Sequence, residues 1–386
     1  MRGQALRFGL FVALTAIGCQ APARTLTLAA ALLPSELPAY RVVLTEFERT
    51  AGWHVVVIPQ QYADIRRALA AEAVAGSGTL DLVELDIYSL AAAAADVMPL
   101  DETRLAPELA ALGAAPLQAG RIDGLRFLPH RLAWQALLYD RTALGAPPTT
   151  WDELLAVARA HPGRIGFKGA LYEGLTCDVL PFVWAAGGSG ARFDDAGARA
   201  AFQLFAALAP SLNPQSATFR EASITEAMAR GELVLQLNWP FAMSLFAAQG
   251  LAPHPLRSAA LPRGPAGTAT VLGGGYLAIP RGAPQAGMAL ALMQYLLGAH
   301  AQQALHDRLG WFSARRDVAV DDGGELMAGF AALRDDVRPR PELPDYGVLS
   351  QLWQEAFRAV AFEHVDPDTA LTTAAQRWAA RPRAGG

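Results

Sequence analysis

The sequence predicts an α/β protein of two lobes, and three observations carry that prediction. Strand and helix signals alternate from Thr25 onward in the order β-α-β-α-β, as in a mostly parallel sheet with right-handed crossovers. A second alternating run follows Gly145-Ala146-Pro147-Pro148, a breaker too strong to lie inside an element. Several extended segments lie between and after these runs, and C-terminal helices close the chain.

The elements read as follows. A strand over 25–31 leads to apolar residues at helical spacing over 36–50. The β-branched run 54–58 after Gly52 reads as a strand, 63–75 as a helix, and 80–84 as a third strand that turns at Asp86. Segments 125–128 and 136–139 are extended. Thr150 is an N-cap with Glu153 at the third helical position, a capping box. Beyond it come a strand over 165–167, helices over 177–185, 196–208 and 224–230, and a strand over 233–237. Gly273-Gly274-Gly275 precedes a strand over 276–279, and long helices follow without any internal repeat.

The N-terminus has the grammar of an export signal: Met1, Arg2 and Arg7, an apolar run over 8–17, then Gly18 before Cys19. Ala16-Ile17-Gly18-Cys19 fits a lipoprotein box, although such a box usually opens with Leu, Val or Ile. An ordinary cleaved signal with Cys19 incidental is the alternative. Removal of 1–18 leaves 368 residues, enough for two to three domains. The expectation is an exported protein, facing the periplasm or the outside and held to a membrane by lipid on Cys19.

A hydrophobic fraction of 52% against 18% charged residues argues for a sizeable core and against disorder. The net charge of −4 gives no basic footprint for nucleic acid. Lys168 is the only lysine, which removes catalytic-lysine schemes. Cys177, with Cys19 lipidated, has no disulfide partner and reads as a small buried hydrophobe. The histidines are scattered without metal-ligand spacing, and neither a phosphate-binding loop nor Gly-x-Ser-x-Gly is present. No cofactor or metal is expected, and the balance moves from enzyme to binding protein.

Loops beside the predicted strands carry aromatics, carboxylates and glycines: Asp86; Tyr172-Glu173-Gly174-Leu175; Asn238-Trp239-Pro240-Phe241; and Gly273-Gly274-Gly275-Tyr276. Sugars suit that mixture. Carboxylates and amides satisfy hydroxyls, a flat ring packs on the apolar face of a pyranose, and glycine lets backbone approach. Each feature also has a plainer reading: Asp86 as a helix cap, Tyr172-Glu173-Gly174 as a turn, Trp239 as core, the glycines as a flexible turn. Trp184 belongs with the core.

With these residues the chain resembles the extracellular solute-binding proteins of bacterial ABC sugar importers, especially the branch of trehalose/maltose-binding proteins. The resemblance runs over the whole mature chain. It includes the stretches from Leu80 to Asp86, from Pro148 to Leu154 and from Tyr172 to Leu175. Further on it takes in Asn238 to Phe241, Leu272-Gly273-Gly274, Gly310 to Asp317, Arg340-Pro341 and Tyr346 to Ser350. It implies a type II periplasmic-binding-protein fold with a ligand cleft between hinged lobes, 19–131 plus 277–312 and 132–276 plus 313–386. Crossings would fall near 128–135, 274–279 and 309–314.

The resemblance further implies Asp86, Glu173, Gly174, Trp239 and Arg340 as pocket residues, Tyr172 and Asn238 nearby, and Glu36 with less support. The partners implied are a small carbohydrate and permease subunits driven by ATPase subunits; a monomer is expected. The chain departs from the family where Gly-Gly-Trp becomes Gly273-Gly274-Gly275, leaving Tyr276 or Trp311 to supply a ring beside Gly274. It also has Ala133 where relatives carry an aspartate. The expected ligand is a disaccharide such as trehalose or maltose. The alternatives are a polyol, polyamine or amino sugar on the same fold, or a glycoside hydrolase using Asp86 and Glu173.

Overall fold

The computed structural model describes residues 24–381 apart from 77, 249–254, 319–323, 325–326 and 344, and apart from the side chains at 244, 247 and 248. The signal segment 1–18 and the lipid site Cys19 lie outside the described residues. The strands are β1 (Thr25–Ala30), β2 (His54–Pro59), β3 (Leu82–Asp86), β4 (Leu128–Trp134), β5 (Ala136–Asp140), β6 (Leu235–Asn238), β7 (Leu256–Ala259), β8 (Thr270–Ala278) and β9 (Val337–Arg338).

They form two sheets. The first has the order β2-β1-β3-β8-β4, with β9 paired to β8; the second has the order β6-β5-β7. Strands β1, β2 and β3 are parallel, as the alternating pattern requires, and are joined through the helices Leu37–Ala51 and Tyr62–Ala75. The expectation of a mostly parallel sheet fails beyond them. β8 lies antiparallel between β3 and β4, and the second sheet is wholly antiparallel. β8 returns from the other lobe and needs no helical crossover to reach its place.

Local chemistry accounts for the elements. Helix Leu37–Ala51 buries Tyr40, Val43, Leu44 and Phe47, which recur every three or four residues, and Gly52 ends it at φ 68°. Asp195 caps Ala196–Leu208 by accepting from the Ala198 N–H at 2.7 Å. Thr150 caps Trp151–Ala160, accepting from the Glu153 N–H, while the Glu153 carboxylate reaches back one residue further, to the Thr149 N–H at 2.6 Å. The strand expected over 165–167 is reduced to single bridges from Ile165 to Leu212 and Leu235.

The glycine triplet lies inside β8, not ahead of it. Each glycine there has its own contact. A Cβ on Gly273 would meet the Trp239 ring at 2.7 Å. Gly274 sits at φ 143°, and a Cβ there would collide with the Arg131 carbonyl oxygen. A Cβ on Gly275 would collide with the Glu84 carboxylate and meet the Tyr62 hydroxyl at 2.7 Å.

Two features set the lobes in place. β4 passes into β5 through Gln135 alone, so the chain changes sheets at that residue. In the second lobe the buried Lys168 ammonium pairs with Asp178 and donates to the Leu237 carbonyl at 3.0 Å, while the Lys168 N–H donates to Asp178 at 3.0 Å. That pair staples helix Glu173–Ala185 to β6 and fixes the position of Glu173 at its first turn. Among the described residues no helix is long and apolar enough to cross a membrane.

Candidate ligand-binding cleft

The carboxyl ends of the parallel strands β1 and β3 open on one edge of the first sheet, the usual place for a ligand in an open α/β sheet. Asp86 ends β3 there. Glu173 comes from the second lobe and Arg340 follows β9. Arg340 joins them: Nη1 donates to Glu173 Oε1 at 2.7 Å and Nη2 to Asp86 Oδ1 at 3.3 Å. Glu173 also accepts from the Tyr346 hydroxyl and, at 2.6 Å, from Ser350 Oγ. Tyr88 lies 5.4 Å from the guanidinium carbon, close enough for a cation–π contact.

The Arg340 side chain is only 5% exposed, while Asp86 and Glu173 keep 22% and 23%. The Arg340 Nε is buried with no hydrogen-bond partner among the described residues. A buried donor without an acceptor is costly, so this N–H is poised for an oxygen atom. A cavity of about 10 Å³, room for roughly one water, adjoins Arg340, Tyr88, Ile122 and Glu342.

The ionisation pattern suits hydroxyl recognition. Burial pushes the Asp86 carboxyl up against the opposing pull of Arg340. Burial, and then the Glu173 charge, raise the Tyr346 phenol, which stays a donor. Cys177 is buried as expected and its pKa is raised by that burial; the neutral thiol accepts from Arg340 Nη1 at 3.5 Å.

A second cluster lies beside this one in the first lobe. Glu84 is 0% exposed and pairs with Arg131 Nε at 2.9 Å and His130 Nδ1 at 3.3 Å, and it accepts from the Ala31 N–H at 2.9 Å. Arg131 also donates to the Ala31 carbonyl and, at 3.1 Å, to the Tyr62 hydroxyl. Burial alone would push Glu84 up, but Arg131 and His130 bring it down from 4.5 to about 2.

The structure sorts the residues singled out from sequence. Asp86, Glu173 and Arg340 come together. Asp86 is also a cap, accepting from the Tyr88 N–H at 3.2 Å with the same Oδ1 that meets Arg340. Trp239 is half-buried with its ring against Gly273. Tyr172 precedes the Glu173 helix, its ring 4.4 Å from the Arg220 guanidinium carbon and so close to Gly174 that no Cβ fits there.

Other residues leave the site. Asn238 is fully buried and donates to Thr225 Oγ1 at 2.9 Å; its part is to orient Trp239, whose N–H it accepts at 2.9 Å. Tyr276 alternates to the face opposite Gly275 and is wholly buried, its hydroxyl donating to the Pro116 carbonyl at 3.0 Å. Trp311 is buried, with its ring under Arg131 at 4.3 Å and its Nε1 on Glu36 at 3.0 Å. Neither ring replaces the absent tryptophan, and Glu36 holds Trp311 and the Leu33 N–H, 3.9 Å from Arg131. Gly274 takes a positive φ opposite Leu132, and Ala133 pairs with Gly273 across β4 and β8.

Sequence reasoning missed Tyr88, Arg131 and Glu84. Tyr346 and Ser350 had a readable signal: four residues apart on one helix, they share a face.

Known proteins share this fold. The profile of the family described as bacterial extracellular solute-binding protein matches residues 43–328. A probable ABC transporter-binding protein of Deinococcus radiodurans is 29% identical over 280 residues, 64% of this chain and 66% of that one, just under two thirds of the relative's length. T. maritima MalE3, solved with maltose bound, superposes with a TM-score of 0.78 at 23% identity over 92% of this chain and 99% of that one. A solute-binding protein of Thermotoga lettingae, bound with α-D-tagatose, gives a TM-score of 0.78 at 23% identity over 92% and 98%. These neighbours share the two-lobed fold, and the matching family is one of binding proteins, not enzymes.

Proposed function

Because the chain belongs to the bacterial extracellular solute-binding protein family, we propose that it captures a small carbohydrate outside the cytoplasm and hands it to an ABC permease driven by ATPase subunits. The observation that carries this reading is the Arg340 bridge from Glu173 to Asp86, with its buried, unpartnered Nε. The Nε donates to a ligand oxygen, and the partly exposed carboxylates of Asp86 and Glu173 accept from hydroxyls. Trp239 and Tyr88 offer rings to an apolar sugar face. A ligand touching residues of both lobes favours their closed arrangement by its affinity difference between open and closed forms, and the permease reads closure.

The lobe boundaries at 131/132, 276/277 and 312/313 and the monomeric state belong to the same proposal. So does the lipid anchor on Cys19, which fits the family's export. A Cys19→Ala chain that still partitions into detergent would remove the anchor.

A thermal-shift screen against sugars and polyols tests the function, since a ligand that binds only the folded form raises Tm. For the ligand found, Trp239→Ala is expected to weaken binding at least tenfold, about 1.4 kcal/mol. Unchanged affinity by calorimetry would take Trp239 out of the cleft.

A further inference from the structure

We propose that Arg131 closes the first-lobe half of the cleft to a second sugar ring, so that the site takes a compact polyhydroxy ligand, a monosaccharide or an open-chain polyol, in preference to a disaccharide. The inference rests on the carbohydrate reading and narrows it.

The sheet register places the plug. Asp86 pairs with Gly275 across β3 and β8, and Gly275 pairs with Arg131 across β8 and β4, so the three form one row. Residues directly opposite in such a row share a face of the sheet. The middle member has no side chain, so Arg131 reaches over it to Glu84, which lies two residues before Asp86 and therefore on the same face. The space where a ring on residue 275 would stand is taken by the Glu84 carboxylate and the Tyr62 hydroxyl.

Arg131 is held from every side the row leaves open. Glu84, the Ala31 carbonyl and the Tyr62 hydroxyl take its N–H groups. Its guanidinium carbon stands 4.3 Å from the Trp311 ring centroid, and Tyr40 and His130 pack against that same ring at 5.7 and 5.4 Å. Trp311 is 8% exposed, so it has no face left for a sugar. A ligand that displaced Arg131 would strand the fully buried Glu84 without its cation, which makes displacement unfavourable.

The groups still able to meet a ligand are those around Arg340: Asp86, Glu173, the Arg340 Nε, the Tyr88 ring at 38% exposure, and Trp239 two residues along β8 at Gly273. That is enough for one ring and its hydroxyls. With Tyr88 and Trp239 engaged by the first ring, a second would need a further flat apolar surface, and Trp311 beside them is covered by Arg131.

Titration calorimetry of the wild-type protein with glucose, D-tagatose, ribitol, maltose and trehalose tests this directly. The best single-ring or open-chain ligand is expected to bind at least tenfold more tightly than either disaccharide. The double variant Arg131→Met/Glu84→Gln removes both charges at similar volume, and its folding is checked by its melting transition. In it the disaccharides should gain at least tenfold relative to the smaller ligands. A wild-type preference for maltose or trehalose overturns the size limit and leaves the carbohydrate function standing. An unchanged ratio in a folded double variant overturns the role of Arg131. No binding by any of the five overturns both readings together.

Discussion

Two arginines near one cleft sit in opposite kinds of environment. Arg131 and Glu84 form a closed set within the first lobe: the carboxylate is 0% exposed and is met by a guanidinium, an imidazole and a backbone N–H. Arg340 spans the lobes, its carboxylate partners keep about a fifth of their exposure, and its Nε has no acceptor among the described residues. The first arrangement fixes a wall; the second leaves hydrogen-bonding capacity unspent. Conserving charge within the set distinguishes architecture from recognition here, more than the residue types do.

The largest effect that would break this contrast is on stability. Arg131→Ala should cost about 3–5 kcal/mol in urea denaturation, because it leaves a buried carboxylate uncompensated. A loss under about 1 kcal/mol would show that the set is not sealed.

Arg340→Ala should instead act on binding. Its carboxylate partners can rehydrate, so stability should fall by only about 1–2 kcal/mol. Affinity for the ligand should fall by about a hundredfold, roughly 2.8 kcal/mol. A large loss of stability with affinity intact would reverse the assignment of the two arginines.

The smallest test is the sign of the pH dependence. Glu84 titrates lower folded than unfolded, so it contributes stability at neutral pH that is lost as pH falls from 4.5 towards about 2. A displacement of that size is worth about 3 kcal/mol. Asp86 titrates higher folded than unfolded. Its contribution is present below its ordinary value of 3.8 and is lost as pH rises through the raised one. Melting temperatures from pH 3 to 8 should therefore show Glu84→Gln approaching the wild type on acidification. Asp86→Asn should be slightly the more stable chain at pH 7 and converge with it in acid. Parallel trends for the two variants would erase the contrast.

Local signals were readable and distant ones were not. The cap at Thr150 and the helix Ala196–Leu208 follow from neighbours in sequence, and they appear where the sequence puts them. The glycine triplet misleads because glycine in isolation signals a turn. Here its use is set by Trp239, Glu84 and Tyr62, which approach β8 only in the folded chain. Asp86 and Glu173 stand out in loops beside predicted strands, whereas Arg340 came through resemblance alone. That Arg340 would be the atom-to-atom link between the other two depends on the pairing of β9 with β8, two residues long, which no periodicity announces. Glu84 reads only as the end of a strand and Arg131 only as part of a crossing, because nothing in sequence says that Gly275 lies between them.

The buried Lys168 has a practical consequence. It is the only lysine in the chain, and its ammonium is sealed between Asp178 and the Leu237 carbonyl. Amine-directed reagents therefore find no side-chain target in the native fold, and acylation at Lys168 becomes a built-in clock for opening of the second sheet.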